Sequence, residues 1–257
     1  MDFGLGGRTA LVTASTAGLG RAVAVALGRE GANVVVSGRR GAQARSVAAG
    51  LPSAIGVECD VLDESSRTAA VAQATQAFGA IDILVINGPG PAPGTAAGLD
   101  AEATQAAFDA LVMPGRDLID RTLPGMRSRG WGRILAIGSS GNQAPLPNLA
   151  ASNLGRAALA GYLKTLAGEV AADGVTVNLI LPGRIATDRV AALDDAAARR
   201  EGVDVAQVRS RSEASIPLGR YGEPAEFGAA GAFLCSSQAS YITGVALRCD
   251  GGLIRSL

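Results

Sequence analysis

A glycine-containing turn close to the N-terminus is the first group of residues whose spacing could do chemistry. It reads TASTAGLG at positions 13–20, directly after a short β-branched run and directly before a helical pattern. A pyrophosphate binds to backbone N–H groups at a helix N-terminus, where glycines let the phosphate groups approach the chain. Gly18 and Gly20 meet this requirement, although Ala14 stands where such turns usually carry their first glycine. The turn therefore predicts a dinucleotide-binding site, with an ordinary tight turn as the alternative.

Two arginines follow the second β-branched run, at the position where a dinucleotide-binding fold contacts the adenosine ribose. The run Asn33–Val36 continues into Ser37 and Gly38, and Arg39 and Arg40 come next. A carboxylate at this place binds the ribose 2′-hydroxyl of NAD, whereas a guanidinium pairs with the 2′-phosphate of NADP. The residues predict that NADP(H) is preferred and that NAD(H) is possible. Two solvated arginines at a helix start are the alternative.

Composition excludes several classes of function. The chain has no histidine, which removes histidine-based triads and nearly all histidine-containing metal sites, so we expect no metal. The net charge is zero and no run of Lys or Arg stands out, so neither nucleic acid nor a membrane is expected as a partner. Apolar stretches such as Val175–Leu181 are too short to span a bilayer. Scattered cysteines and the absence of a signal-peptide pattern predict a cytoplasmic protein.

A sheet with crossover helices has to position these residues. Short β-branched runs alternate with Ala-rich helical stretches, the pattern of a parallel sheet. Strands are predicted at Thr9–Thr13, Asn33–Val36, Ile55–Cys59, Ile81–Asn87, Arg133–Ile137, Val175–Leu181 and Leu247–Asp250. Helices are predicted at about 19–30, 63–78, 101–128 and 151–172. We therefore expect one α/β domain over 1–257, a Rossmann fold with a doubly wound parallel sheet flanked by helices. The polar, helical region 188–215 adds no strand and is expected to form a lid over the site.

Several further segments, in their order along the chain, carry a family resemblance. They read CDV at 59–61, DILVING at 82–88, LPGRIAT at 181–187, IPLGR at 216–220, YITG at 241–244 and DGG at 250–252. With these segments the chain resembles the short-chain dehydrogenases/reductases, and among them the bacterial β-ketoacyl-carrier-protein reductases, over essentially its whole length. The resemblance implies a single Rossmann domain that binds a nicotinamide dinucleotide.

The resemblance also implies which residues hold the cofactor. Asp60 would hold the adenine amino group, and the Pro-Gly turn with Thr187 would contact the nicotinamide carboxamide. The full implied set of cofactor-binding residues is Thr13, Ser15, Gly18, Leu19, Gly20, Arg39, Arg40, Asp60, Val61, Asn87, Gly88, Arg156, Pro182, Gly183, Ile185 and Thr187.

The catalytic positions depart from the family pattern. Members use an Asn, a Ser, and a Tyr and a Lys four residues apart. Ser139 aligns with the family serine, and thirteen residues onward Ser152 stands at the Tyr position, with Arg156 at the Lys position. The family Asn aligns with Leu111. The resemblance thus implies Ser139, Ser152 and Arg156 as the catalytic residues of an altered site.

No other residue replaces the missing phenol on sequence grounds. Ser152 and Arg156 share one helix face, whereas Tyr162 is rotated about 120° from that face. The single lysine, Lys164, lies about 12 Å beyond Arg156 along the helix. A serine hydroxyl is a far weaker acid than a phenol, and an arginine keeps its proton. The site therefore keeps binding groups and lacks an obvious proton donor.

Three functions remain open. The first is an NAD(P)-dependent oxidoreductase acting on the carbonyl or alcohol of a small molecule or an acyl thioester. The second is a non-catalytic NADP(H)-binding protein. The third is a dehalogenase-like lyase, although such relatives replace the glycine turn by a bulky aromatic residue and retain a Tyr.

The resemblance also implies a homotetramer, since family members pair the helices at about 101–128 and 151–172 across a two-fold axis. Small residues on the second helix would allow a close approach; they are Ala157, Ala160, Gly161, Ala167 and Gly168. Packing of these residues against the chain's own sheet is the alternative.

Overall fold

Seven parallel β-strands form one sheet in the computed structural model, which describes residues 2–256. The strands are β1 (Thr9–Val12), β2 (Asn33–Gly38), β3 (Ala54–Glu58), β4 (Ile83–Ile86), β5 (Gly132–Ile137), β6 (Val175–Pro182) and β7 (Ala246–Cys249). They lie in the order β3-β2-β1-β4-β5-β6-β7. Successive strands are added to one side of β1 up to β3 and to its other side from β4 onward, so the order of addition reverses between β1 and β4. In open sheets of this kind, ligands bind at the carboxyl ends of the strands beside the reversal.

Helices cover both faces of the sheet and enclose two hydrophobic cores. They are α1 (Gly18–Arg29), α2 (Gly41–Ala48), α3 (Glu64–Phe78), α4 (Ala101–Leu111), α5 (Met113–Ser128), α6 (Ala150–Val170), α7 (Asp188–Glu201), α8 (Val205–Ala214) and α9 (Pro224–Cys235). One core packs under α3, α5 and α6, and the other under α1, α2 and α9. The predicted single-domain, doubly wound Rossmann fold is confirmed; Met1 and Leu257 of the predicted span lie outside the described residues. Among residues 2–256, no helix combines the length and apolarity that a membrane span requires.

The predicted long helix at 101–128 is in fact two helices that meet at Val112. Pro114 has no N–H group, so it cannot donate to the carbonyl of Ala110, and the regular helical bonding is interrupted at this point. Two further helices were not predicted. In α9, Gly228 and Gly231 pack tightly on α1, where a Cβ on Gly228 would lie 2.4 Å from the Ala22 carbonyl oxygen. The other, α2, is only eight residues long.

At the amino ends of the strands, the side chains of Arg8 and Arg133 stack on the indole ring of Trp131. The guanidinium carbons of Arg8 and Arg133 lie 4.0 and 4.3 Å from the ring centre of Trp131, which directly precedes β5. Such contacts are attractive because the ring face carries negative charge. Burial lowers the pKa of Arg133, whose Nε donates to the Ser236 carbonyl oxygen. This stack fixes the edge of the sheet opposite the predicted site.

Candidate active site

The turn after β1 presents an open helix N-terminus. Helix α1 begins at Gly18, and the preceding residue, Ala17, provides no side-chain cap. The first N–H groups of a helix have no partner within it, so these groups are available to a phosphate. Gly18 has φ +56°, in the left-handed region that favours glycine, and Ala14 has φ +45° although it carries a Cβ. Ala14 thus adopts a backbone conformation that is usually left to glycine, as Gly18 does.

Gly20 and Asn87 brace this turn against the end of β4. A Cβ on Gly20 would lie 2.6 Å from the Ala14 carbonyl oxygen and 2.8 Å from Asn87 Nδ2. The same Nδ2 donates to the Ala14 oxygen at 3.1 Å. Only glycine fits at position 20 in this arrangement, because any side chain would push the turn and the β4 end apart.

Thr13 and Ser15 belong to the support of the turn. Both are essentially inaccessible, at 1% and 0% exposure. The Thr13 hydroxyl donates to the Asn87 carbonyl oxygen at 2.7 Å, and Ser15 Oγ donates to the Val12 oxygen while accepting from Ser37 N–H. Their hydroxyls are thus used within the protein, and these two predicted cofactor residues act by holding β1, β2 and β4 in register.

The end of β2 is shaped for a cofactor without room for an acidic side chain. A Cβ on Gly38 would lie 2.8 Å from Cγ2 of Thr16, so an aspartate there would displace the turn. Arg39 and Arg40 are exposed, and neither forms an ion pair with a carboxylate of residues 2–256. Two free guanidinium groups at this place suit a 2′-phosphate.

Asp60 and Val61 lie after β3, on the adenine side of the predicted cleft. Asp60 accepts from Leu62 N–H at 3.0 Å, which fixes the loop, and Val61 is buried. Val61 faces Gly88, since a Cβ on Gly88 would lie 3.7 Å from Val61 Cγ1. The loops after β3 and β4 therefore meet at the strand ends.

The segment from Pro182 to Thr187 continues from β6 over the glycine turn. Gly183 packs on Asp250, where a Cβ would come within 2.6 Å of the Asp250 Cα. Ile185 is buried, so this residue offers mainly backbone groups to a ligand. Thr187 caps α7, and its methyl group lies 4.0 Å from the position of a Cβ on Gly18. Its side chain therefore closes the cleft above the turn.

Ser139, Ser152 and Arg156 come together at the carboxyl end of β5. Arg156 Nε donates to Ser152 Oγ at 3.2 Å, and Nη1 donates to the carbonyl oxygen of Ile137 at 3.3 Å. Ser139 Oγ accepts from Gly141 N–H at 3.1 Å. Each serine hydroxyl uses a lone pair in these contacts and keeps its own proton available to a bound molecule.

Asn142 links the two halves of this cluster, a role that the sequence did not reveal. Its Oδ1 accepts from Ser139 N–H at 2.9 Å, and its Nδ2 donates to the Arg156 carbonyl oxygen at 2.9 Å. The residue lies in a 3-10 turn that Ser139 caps. The Ser-x-x-Asn spacing of such a capping turn is the only signal by which sequence could have found it.

Burial and a second cation set the electrostatics of the site. Burial lowers the pKa of Arg156, and the charge of Arg189 lowers it further. Arg189 lies in the first turn of α7 and reaches the loop after β4, where its Nη2 is 3.2 Å from the position of a Cβ on Gly90. Sequence reasoning missed Arg189, because only the fold brings α7 to this loop.

The three tyrosines and the single lysine either make contacts elsewhere or lie exposed to solvent. Tyr221 is buried and donates to Asp194 Oδ2 at 2.8 Å, while Tyr241 is fully exposed. Tyr162 packs with the core between α5 and α6, and burial raises its pKa. Lys164 Nζ donates to the Gly244 carbonyl oxygen at 2.8 Å. Within residues 2–256, no phenol bonds to either serine or to Arg156.

Leu111, which aligns with the family Asn, is buried at the end of α4 against α6. A Cβ on Gly155 would lie 2.8 Å from Leu111 Cδ1. The residue therefore packs on α6 at Gly155, the residue before Arg156, and its side chain has no polar atom.

The chain is similar to reductases over nearly its whole length. The family profile described as Enoyl-(Acyl carrier protein) reductase matches residues 13–254. Dehydrogenase/reductase SDR family member 4 of Bos taurus is 34% identical over 258 residues, which cover 98% of this chain and 89% of the relative. The 3-oxoacyl-(acyl-carrier-protein) reductase FabG of Aquifex aeolicus is 33% identical over 271 residues, with 98% and 100% covered.

A solved structure agrees with these relatives. L-sorbose reductase from Gluconobacter frateurii, complexed with NADPH and L-sorbose, has a TM-score of 0.94 and 32% identity. The match covers 100% of both chains. Fold, profile and relatives give the same assignment: the chain belongs to the short-chain dehydrogenase/reductase family.

Proposed function

We propose that the chain is an NADP(H)-dependent oxidoreductase that interconverts a carbonyl and an alcohol through an altered active site. The observation that carries the proposal is the open N-terminus of α1, framed by Gly18, Gly20 and Asn87. The first N–H groups of this helix have no side-chain cap, which leaves them available to a phosphate. The structural neighbour complexed with NADPH supports the choice of cofactor.

The residues present fit NADP(H). Glycines at positions 18 and 20 leave the helix start open, and Gly38 has no room for the carboxylate that NAD sites use. Arg39 and Arg40 would hold the 2′-phosphate, and Asp60 the adenine. Arg156 would hold the nicotinamide ribose through the guanidinium N–H groups that Ser152 and Ile137 leave free. Equal affinities for NADP(H) and NAD(H) in calorimetric titration would contradict this assignment.

The chain's own groups would orient the substrate and move one proton. A nicotinamide, when bound, would supply the hydride that reduces a carbonyl carbon. Ser139 donates a hydrogen bond to the substrate oxygen, since its Oγ proton is free. Ser152 lacks the phenol ring of the family tyrosine, and the polar groups around it favour an ordered water in that space. That water, held by Ser152, would deliver the proton in place of the phenol.

Slow turnover follows from this arrangement. A positioned acid contributes about 10²–10⁴-fold to such a reaction, and a water relayed through a serine is a poorer acid than a tuned phenol. We therefore expect low or absent turnover of simple β-ketoacyl thioesters. A protein that reduces them as fast as ordinary relatives would contradict the proposed site.

The test uses NADPH deuterated at C4 and a panel of ketones, aldehydes and β-ketoacyl thioesters. Deuterium in the alcohol product, detected by mass spectrometry, shows hydride transfer. The double variant Ser152→Tyr with Arg156→Lys restores the family pair and should raise the rate of NADPH oxidation. Arg156→Ala should weaken NADPH binding, and Ser152→Ala should leave it nearly unchanged as the matched control.

A non-catalytic NADP(H)-binding protein is the second candidate. It is favoured because no phenol of residues 2–256 bonds to Ser139, Ser152 or Arg156. Tight NADPH binding without deuterium transfer to any carbonyl of the panel, in either the wild type or the double variant, would select this reading. The retained Gly18 and Gly20 argue against a dehalogenase-like lyase, whose relatives fill that turn with an aromatic side chain.

A further inference from the structure

Two guanidinium groups lie at the carboxyl edge of the sheet without an acidic partner. Arg156 is fixed at the end of β5 by its bond to the Ile137 carbonyl oxygen. Arg189 lies against the loop after β4, close to Gly90. Neither forms an ion pair with any carboxylate of residues 2–256, although Asp188 directly precedes Arg189. By contrast, the neighbouring Arg184 pairs with Asp194 at 3.2 Å.

The two arginines lie at the carboxyl ends of paired strands, because β4 pairs with β5. Like charges so placed repel each other, and the partial burial of Arg156 strengthens the repulsion. Arg189 also stands in the first turn of α7, where the helix dipole favours an anion. A bound anion would offset both the repulsion between the two arginines and the unfavourable interaction of Arg189 with the helix dipole. Residues whose placement is locally unfavourable in this way are commonly functional.

We infer that Arg189 forms a subsite for an anionic group of the substrate, a carboxylate or a phosphate monoester, with Arg156 supplying a second positive charge from the neighbouring strand end. The inference rests on the proposed function, because the subsite lies beside the serines that would hold the reacting oxygen. A guanidinium can bind either anion with two parallel N–H donors. Arg189 is exposed beside the loop after β4, so its N–H donors face the solvent. The preferred substrate is therefore an oxo acid or a phosphorylated ketone.

The donors also suit a second source of the same chemistry, the pyrophosphate of the cofactor. The two sources differ in what the loss of Arg189 should do. A substrate subsite predicts unchanged NADPH binding and weaker binding of acids, whereas a pyrophosphate contact predicts weaker NADPH binding.

The experiment measures binding by calorimetry with the NADPH-saturated protein. The probes are 2-, 3- and 4-oxopentanoate with their methyl esters, and dihydroxyacetone phosphate with dihydroxyacetone. At least one anion should bind about tenfold or more tightly than its neutral partner, as a charged hydrogen bond of about 1.5–3 kcal/mol implies. Arg189→Leu should abolish this preference, and Arg189→Lys should retain part of it because the charge remains.

Arg199→Leu is the matched control, since it removes the same charge from an exposed position farther along α7. It should leave both the anion preference and NADPH affinity unchanged. NADPH titration of Arg189→Leu without probe should match the wild type within about twofold. The subsite is overturned if Arg189→Leu weakens NADPH binding as much as it weakens anion binding. It is also overturned if the anions bind no better than their neutral partners at millimolar concentration. Because binding is measured without turnover, failure of hydride transfer would be seen separately.

Discussion

Gly20 shows how a single missing side chain defines the cofactor turn. A Cβ at this position would lie so close to the Ala14 oxygen and to Asn87 Nδ2 that the turn could not pack against β4 as it does. Sequence spacing alone identified this glycine, and the structure supplies the contact that makes it necessary. Arg189 could not be found in the same way, because its contact depends on chain segments that only the fold brings together, whereas Asn142 had only the Ser-x-x-Asn spacing as a signal.

Gly20→Ala should weaken NADPH binding by about tenfold or more and lower the free energy of unfolding by about 1–3 kcal/mol, as overpacking typically does. The added methyl group would force the Ala14 oxygen out of line with the helix start. Calorimetric titration and urea unfolding measure the two effects. Gly6→Ala is the control, since a Cβ there would meet nothing within 4 Å. A Gly20→Ala protein that binds NADPH like the wild type would contradict the role of this turn.

At the scale of elements, a buried hydrogen bond fastens α7 to the body of the protein. Asp194 in α7 accepts from Tyr221 Oη and from Arg184 Nη1, and it is only 4% exposed. Burial raises the pKa of Tyr221, so this phenol stays protonated and acts as a donor. We propose that 188–215, which contains α7 and α8, is a lid over the cleft and that this contact is its fastening.

Tyr221→Phe should loosen that lid. The change leaves a buried carboxylate oxygen without its donor, which costs about 1–3 kcal/mol. Backbone amides of α7 should exchange hydrogen faster, while those of β4 and β5 should not change. Tyr241→Phe is the control because that side chain is fully exposed. Unchanged exchange in α7 would show that the Tyr221 contact does not fasten the helix.

Helices α3 and α5 are joined by a charged cluster that also supports the adenine side of the cleft. Asp117 in α5 accepts from Arg67 Nε at 2.6 Å and from Arg121, and Arg67 Nη1 donates to the Val61 carbonyl oxygen at 2.8 Å. Burial alone would raise the pKa of Asp117, but the hydrogen bonds from Arg121 and Arg67 offset it, so its pKa is lowered.

Asp117→Asn should therefore destabilise the protein in a pH-dependent way. A lowered carboxyl pKa contributes stability above the unfolded-state value of about 3.9, and that contribution is lost as pH falls through the folded-state value. We expect a loss of about 2 kcal/mol at neutral pH. Urea unfolding at several pH values should show wild type and variant converging below about pH 4. A constant difference across this range would contradict the assignment.

At the scale of the whole molecule, the alternation of β-branched and Ala-rich segments was enough to predict the fold. Every predicted strand is present within a few residues, because a sheet buried on both faces needs continuous apolar runs. The break at Val112 was missed because the interior proline, Pro114, was not counted as a stop in a segment that is otherwise helical in pattern. Helix α9 was missed because it is apolar on nearly all sides and shows no helical periodicity.

We propose a homotetramer that uses the outer face of α6. Gly161 and Gly168 are exposed, and a Cβ on either would meet nothing within 4 Å of the described chain, whereas Ala167 is buried in the chain's own core. The small-residue face is thus split, and its outer part remains available to a second copy.

Gly161→Glu should lower the mass of the assembly, because a charge would be buried between helices at the interface. Light scattering at micromolar concentration measures the mass, and circular dichroism checks the fold. Ala72→Glu on the exposed face of α3 introduces the same charge as a control. A wild-type protein with a monomer mass would rule the tetramer out.

Trp131 is the only tryptophan of the chain, so its emission comes from one fixed place at the foot of β5. The six residues of that strand span about 20 Å between the indole and the cleft. Reduced nicotinamide absorbs light where an indole emits it, and the oxidised ring does not. Binding of NADPH should therefore dim the emission through energy transfer, whereas NADP⁺ should not. The fluorescence of Trp131 would thus report whether a bound cofactor is reduced or oxidised.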